Sequence, residues 1–136
     1  MKVLITGGAG FIGSHLATRH LNLGDEVAII DNLSTSTIEN IQHLAEHPNC
    51  TCRVDDILSV EVMRELVSDC DLIYHLAAAV GVEYVLENPL QTLTTNIRGT
   101  EIVLELANEQ KKRVVLASTS EIYGKKNGHV PFKEDS

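Results

Sequence analysis

Thr6-Gly7-Gly8-Ala9-Gly10-Phe11-Ile12-Gly13 is the stretch whose reading decides the fold. It contains Gly-x-x-Gly-x-x-Gly from Gly7 and Gly-x-Gly-x-x-Gly from Gly8. Either pattern alone is weak. Here it follows an apolar run, Val3 to Ile5, and opens a helical pattern, Phe11 to Leu23, that Gly24 ends. In that setting Gly7, Gly10 and Gly13 permit a tight turn and a close backbone approach to a pyrophosphate. The helix start adds free amides and about half a unit of positive charge. The competing reading, a glycine-rich structural turn, loses weight between a strand and a helix.

Asp31 closes the next apolar run, Val27 to Ile30, 18 residues after Gly13. That is close to the offset of roughly 20 residues expected of an acid that binds the adenosine ribose hydroxyls. A carboxylate there repels a 2′-phosphate, which favours NAD over NADP as the cofactor. An S-adenosylmethionine site also pairs a glycine loop with a ribose-binding acid. It is the weaker alternative, because phosphate-binding spacing serves little purpose for a cofactor without phosphate.

Further strand-length runs occur at Leu72 to Tyr74 and Val114 to Ala117, with a weaker one at Thr51 to Val54. Near-continuous apolar runs mark strands covered on both faces. Helical patterns fall between them: a short one around Thr37 to Glu46, another around Val60 to Val67, and a long one from Pro89 to about Gln110. Asn88 suits the N-cap of the long helix, Pro89 its first position, and Gln91 the capping-box partner. Leu90, Leu93, Ile97, Leu104 and Ala107 form a stripe at helical spacing, expected to be core. Alternating strands and helices imply an α/β fold, a Rossmann-type doubly wound parallel sheet. After Ala117 the pattern stops, and the polar segment Lys125 to Ser136 gives the chain the look of a truncated one.

Composition sets the class of partner. The 136 residues carry a net charge of -8, and 43% are hydrophobic, as in one ordinary globular domain. The negative field disfavours nucleic acid. The basic cluster Lys111 to Arg113 lies where the long helix ends, and a capping role is expected for it. Cys50, Cys52 and Cys70 offer no Cys-x-x-Cys pair and no four converging ligands, so reduced structural thiols are expected and no metal site. No run of 18 apolar residues suggests a membrane span, and the cytoplasm is the expected compartment. His75 reads as a strand-end core histidine, followed by small residues that leave room for a ligand at the carboxyl edge of the sheet.

TGGAGFIG, DNLSTS from Asp31, DDI at Asp55 to Ile57, HLAAA from His75, Asn96 before x-x-Gly-Thr, and STSEIYG from Ser118 stand in order along nearly the whole chain. Together they resemble the extended short-chain dehydrogenases that remodel nucleotide sugars. The resemblance implies that Phe11 and Ile12 touch the pyrophosphate, and that Asp31, Asn32, Ser34, Thr35 and Ser36 surround the adenosine ribose. Asp56 and Ile57 would meet the adenine, and Leu76, Ala77, Ala78, Val80 and Asn96 the nicotinamide side. Thr119 matches the family's catalytic Ser/Thr, although as residue type alone it reads equally as a strand-end hydroxyl that satisfies the backbone.

In such enzymes NAD takes a hydride from the sugar's 4-position, and a tyrosine with a lysine-lowered pKa removes the hydroxyl proton. A keto-sugar results, which is then epimerised, decarboxylated or dehydrated. Thr119-Ser120-Glu121 resembles the uronate decarboxylases, with Glu121 in a catalytic position, while dehydratases carry Thr-Asp-Glu and 4-epimerases remain open. No Tyr-x-x-x-Lys occurs, since Tyr74, Tyr84 and Tyr123 precede Ala78, Asn88 and Asn127 by four residues. The resemblance thus implies the cofactor-binding part of a longer, homodimeric enzyme acting on a nucleotide sugar, a UDP-sugar first, and inactive as this piece. A free-standing NAD-binding or sensing module is the alternative.

Overall fold

The computed structural model describes residues 1–124 and 131–135. Five strands form one all-parallel sheet: β1 (Lys2–Thr6), β2 (Glu26–Asp31), β3 (Cys50–Val54), β4 (Leu72–His75) and β5 (Arg113–Leu116). Their spatial order is β3-β2-β1-β4-β5. The chain therefore winds outward from β1 in both directions, first through β2 to β3, then back across to β4 and β5. That reversal opens a crevice at the carboxyl ends of β1 and β4.

The centre of β1, Val3 to Ile5, is apolar because both its faces are covered. Val3 and Ile5 join Ala17, Leu21, Val27, Ile29 and Leu44 beneath α1 (Phe11–Asn22) and α2 (Gln42–Ala45). Leu4 points the other way and joins Ile30, Met63, Val67, Ile73, Ile102, Val103 and Leu106 beneath α3 (Val60–Ser68) and the last long helix. Period-two alternation thus feeds two cores from one strand. Polar groups close the amino edge. His20 donates to Asp25 at 2.8 Å and accepts from Tyr74, while the N-terminal ammonium meets Asp25 at 3.0 Å. The hydrogen bond from His20, then the ammonium, holds the Asp25 carboxyl below its usual range.

Several expectations are corrected. The short pattern at Thr37 to Glu46 splits into a 3-10 turn, Ile38–Asn40, and the single turn of α2. A helix the sequence pattern did not announce, α4 (Val82–Glu87), precedes α5 (Pro89–Leu93). A π-turn segment, Thr94–Arg98, joins α5 to α6 (Gly99–Glu109). Pro89 takes the first helical position, but Asn88 makes no side-chain cap; its amide donates instead to the Tyr84 carbonyl.

The expected core stripe also faces the wrong way. Leu90 is 76% exposed and Leu104 45%, with Leu93 and Ile97 between them in exposure, and only Ala107 is buried. This helix is apolar on two sides, and the side that packs on the sheet is Ile102, Val103, Leu106 and Ala107. Spacing alone could not say which side meets the sheet. β5 is likewise an edge strand with Val115 and Leu116 exposed, not a strand buried on both faces.

The basic cluster serves helix ends, though not only its own. Lys111 adopts a positive φ just past α6, and the Lys112 ammonium donates to the Ser68 carbonyl at the end of α3. Cys50, Cys52 and Cys70 are free thiols, and among the described residues no group of three ligands could hold a metal. No helix among the described residues is long and apolar enough to cross a membrane. Most of the polar segment 125–136 lies outside the described residues.

The two sides of the stretch from α5 to α6 make opposite predictions in urea titrations. Ile102→Ala leaves a cavity against the sheet and is expected to cost about 2–5 kcal/mol. Leu90→Ala, on the exposed side, is expected to stay within about 0.5 kcal/mol of the parent.

Candidate functional site

The crevice is built from the end of β1 outward. Gly7 turns with φ +71°, and its amide donates to the Ile30 carbonyl at 2.8 Å. A Cβ at Gly7 would stand 2.8 Å from the Ala77 nitrogen, so only glycine lets this loop lie against the exit of β4. A Cβ at Gly13 would stand 2.5 Å from the Gly7 carbonyl oxygen, so the third glycine lets α1 begin directly against the loop. No side chain caps α1, which starts after Gly10. Its first-turn amides and the positive end of its dipole are left to solvent or to an anionic ligand.

Asp31 stands opposite, only 9% exposed. Its Oδ2 accepts from the Ala9 amide at 2.9 Å. Its Oδ1 accepts from the Leu33 amide at 2.8 Å and the Ser36 hydroxyl at 2.9 Å. A carboxylate has about four lone-pair sites. Three are committed within the protein, and one on Oδ2 stays free for a ligand hydroxyl.

The far wall is the segment Leu76 to Val80. The Ala77 amide donates to the Thr6 hydroxyl at 3.1 Å. Ala79 is gripped by the Asn96 side chain, which accepts from its amide at 2.8 Å and donates to its carbonyl at 3.3 Å. The β4 strand ends on His75, 3% exposed, whose Nδ1 lies 2.7 Å from the Thr6 hydroxyl and Nε2 3.0 Å from that of Thr100. Burial pushes the His75 imidazole below its ordinary pKa of 6.5.

Most residues picked from the sequence come together around this cleft: Gly7, Gly10 and Phe11 on the loop, Asp31, Asn32 and Ser34 to Ser36 after β2, Ile57, and Leu76 to Ala78 with Val80. Four stand back from the wall. Ile12 is exposed on the outer side of α1, and Gly13 lies beneath the turn. Asp56 spends Oδ1 on the Leu58 amide, and Asp55 takes the wall position instead. Asn96 is turned to Ala79, and Thr95 lines the cleft in its place. Ile30, Asp55 and Thr95 were missed, each within a residue of one that was picked. A motif gives the segment but not which of two neighbours faces inward.

Thr119 and Glu121 lie outside the cleft wall, Thr119 capping and Glu121 within the 3-10 turn Ser120–Tyr123 after β5. The Thr119 hydroxyl accepts from the Glu121 amide at 3.2 Å, the backbone-satisfying role open to a strand-end hydroxyl. A second cleft opens at the amino end of the strands, walled by Lys2, Glu26, Arg53, Glu65 and Asp69. Its charges are already paired, Lys2 with Glu26 and Asp69, and Arg53 with Glu65. The carboxyl-edge cleft is the one with open donors.

No basic side chain stands among the residues that wall the carboxyl-edge cleft. Among the described residues, the groups there suited to an anion are backbone amides and the α1 dipole. The dimensions of the loop, the open amides and the nearby acid fit a dinucleotide, with the diphosphate at α1 and a ribose at Asp31.

Comparison with known proteins agrees with this geometry. The model of the GDP-mannose 4,6 dehydratase family matches residues 4–136. This chain belongs to that family. Among curated members, a UDP-N-acetyl-alpha-D-glucosaminuronate decarboxylase of Bacillus cytotoxicus is 42% identical over 98% of the chain, and UDP-glucuronic acid decarboxylase 1 of Arabidopsis thaliana is 39% identical. The chain spans 40% of the first protein's length and 29% of the second's. The UDP-glucuronic acid 4-epimerase of Bacillus cereus, solved with UDP-glucuronic acid and NAD, superposes with a TM-score of 0.86 at 37% identity. The match covers 99% of this chain and 45% of that one. A UDP-glucose 4-epimerase of Thermus thermophilus, solved with NAD, gives 0.83 at 32% identity over 99% of this chain and 43% of its own. The Rossmann-type sheet is thus the fold this chain shares with nucleotide-sugar epimerases and decarboxylases.

His75 makes the family fold pH-sensitive in a defined sense. The unfolded chain binds a proton near pH 6.5, and the buried native imidazole resists it to lower pH. Stability is therefore expected to be complete above pH 6.5 and to fall as the pH drops below it. Urea midpoints measured from pH 7.5 to 5 check this, and His75→Gln should flatten that part of the slope.

Proposed function

We propose that residues 1–136 form the NAD-binding domain of a nucleotide-sugar-modifying enzyme, a 4-epimerase or uronate decarboxylase, whose catalytic and substrate-binding remainder lies outside this chain. The observation that carries the reading is the uncapped start of α1 facing the buried Asp31 across one cleft. The named relatives and the NAD-bound neighbours support it. When bound, NAD supplies the hydride acceptor that turns the sugar's 4-hydroxyl into a ketone.

The chain's own residues bind and orient. The α1 amides hold the diphosphate, Gly7 and Gly10 let it approach the backbone, and Phe11 covers it from the exposed side. The free lone pair of Asp31 takes a ribose hydroxyl, and its charge repels a 2′-phosphate. Asn32 and Ser34 to Ser36 flank that ribose, Ile57 gives the adenine an apolar seat, and the small residues Ala77 and Ala78 leave room for the nicotinamide. Thr119 donates to the sugar hydroxyl once its turn is packed against the substrate lobe, and Glu121 tilts the subtype toward decarboxylation. No Tyr-x-x-x-Lys occurs in these residues, so we assign proton removal to the remainder of the parent enzyme.

The same reading gives a UDP-sugar as substrate and the cytoplasm as compartment, the latter in keeping with three free thiols. It also gives a homodimer. The exposed apolar side of α4, α5 and α6, with Val82, Leu86, Leu90, Leu93, Ile97 and Leu104, is the surface we assign to that contact.

Calorimetric titration tests the cofactor. NAD is expected to bind at least about tenfold more tightly than NADP, and Asp31→Asn, which keeps an acceptor for Leu33 and Ser36 but loses the charge and the acceptor for Ala9, is expected to narrow the gap. Equal affinities for the two cofactors would overturn the ribose assignment. With the full-length parent, release of carbon dioxide from a UDP-linked uronate or interconversion of two 4-epimers is the expected activity, and neither would sink the enzymatic reading.

A further inference from the structure

His75 touches nothing in the cleft, yet both of its nitrogens are engaged by threonine hydroxyls on different elements. The direction of each hydrogen bond can be worked out from its far side. The Thr6 hydroxyl accepts from the Ala77 amide, which has no choice but to donate. Its own proton is then available to His75 Nδ1 at 2.7 Å. On the other side, the Thr100 hydroxyl donates to the Asn96 carbonyl at 2.7 Å, so toward His75 it can only accept. Nε2 must therefore carry the proton, and burial, which disfavours the charged ring, leaves Nδ1 to accept. The Thr100 end requires this tautomer, and the Thr6 end accommodates it.

The hydrogen bonds accordingly run one way: Ala77 N–H to Thr6, Thr6 to His75, His75 to Thr100, Thr100 to the Asn96 carbonyl. Their two termini are the two grips on the far wall of the cleft. Ala77 is its first held residue, and Asn96, from the π-turn segment, holds Ala79 through both of its side-chain polar atoms. Breaking one link leaves a buried donor or acceptor without a partner, the costly outcome for polar groups in a dry interior. No charged group enters this series. Its side chains come from β1, β4 and α6, its backbone ends from the segment after β4 and the π-turn segment, and Leu116 of β5, the remaining neighbour of His75 in the sheet, is apolar.

We propose that His75 is a positioning residue for the cofactor site: fixed as the neutral Nε2–H tautomer, it couples β1 to the π-turn segment and so sets the Leu76 to Val80 wall. That the wall serves NAD rests on the function proposed above; the tautomer does not. Nothing in this role needs His75 to touch the reacting atoms.

Two measurements on the folded chain test it. Histidine-selective 15N NMR at pH 7.5 reads the ring nitrogens directly, and His75 is expected to show a protonated Nε2 and an unprotonated Nδ1. The opposite tautomer, or a doubly protonated ring, would overturn the series. Calorimetry then compares Thr100→Val, which removes the acceptor for Nε2–H, with Thr100→Ser, which keeps it. Thr100→Val is expected to weaken NAD binding about tenfold and Thr100→Ser to stay within about twofold of the parent. Equal NAD affinity in Thr100→Val and the parent would overturn the positioning role. If the parent chain itself binds no NAD, the cofactor reading falls, and the NMR tautomer alone decides whether the series stands.

Discussion

The Asp31 carboxylate accepts from the Ala9 amide on one side and from Leu33 and Ser36 on the other, and so ties the glycine loop to the exit of β2. A glycine-rich loop has little of its own to hold it, since each glycine adds conformational freedom and no side-chain packing. Without a buried acceptor at its centre, the turn would be free to stray from the start of α1. Held by Asp31, it keeps the α1 amides pointed into the cleft. In the function proposed above, the side chain that fixes the loop also supplies the negative charge at the ribose position, so shape and cofactor choice become one constraint.

The far wall is held by different means. Here the backbone leaves β4 through residues too small to pack strongly, and side chains from other elements grip it: Thr6 at Ala77 and Asn96 at Ala79. The close approach of Gly7 to Ala77 brings the two walls together at the point where strand order reverses. Among the described residues that wall this point none is cationic, in keeping with a chain of net charge -8. Backbone amides and a helix dipole concentrate positive potential locally without changing the charge of the whole.

Much of this was legible beforehand, for a physical reason. Strands covered on both faces must be apolar in succession, and Val3 to Ile5 and Val27 to Ile30 have no other good explanation. The Gly7 to Gly13 turn and Asp31 were legible because geometry leaves few residue types able to stand there. The long helix was less so. Leu90, Leu93, Ile97 and Leu104 have the spacing of a core stripe, but Ile102, Val103 and Leu106 compete for the sheet and win. The shifts from Asp56 to Asp55 and from Asn96 to Thr95 have a similar origin. Hydrogen bonds turn one neighbour away from the cleft: Asp56 accepts from the Leu58 amide two residues on, and Asn96 from the Ala79 amide, a partner that only the tertiary structure brings near.

The central claim is that a dinucleotide binds at the carboxyl edge, with its diphosphate on the α1 amides. An amide-resolved 15N NMR titration with NAD tests it most directly. The account predicts that the largest shifts fall at Gly10 to Gly13 and at Leu33 to Ser36. Shifts concentrated instead around Glu26, Arg53 and Asp69, at the amino-end cleft, would contradict it.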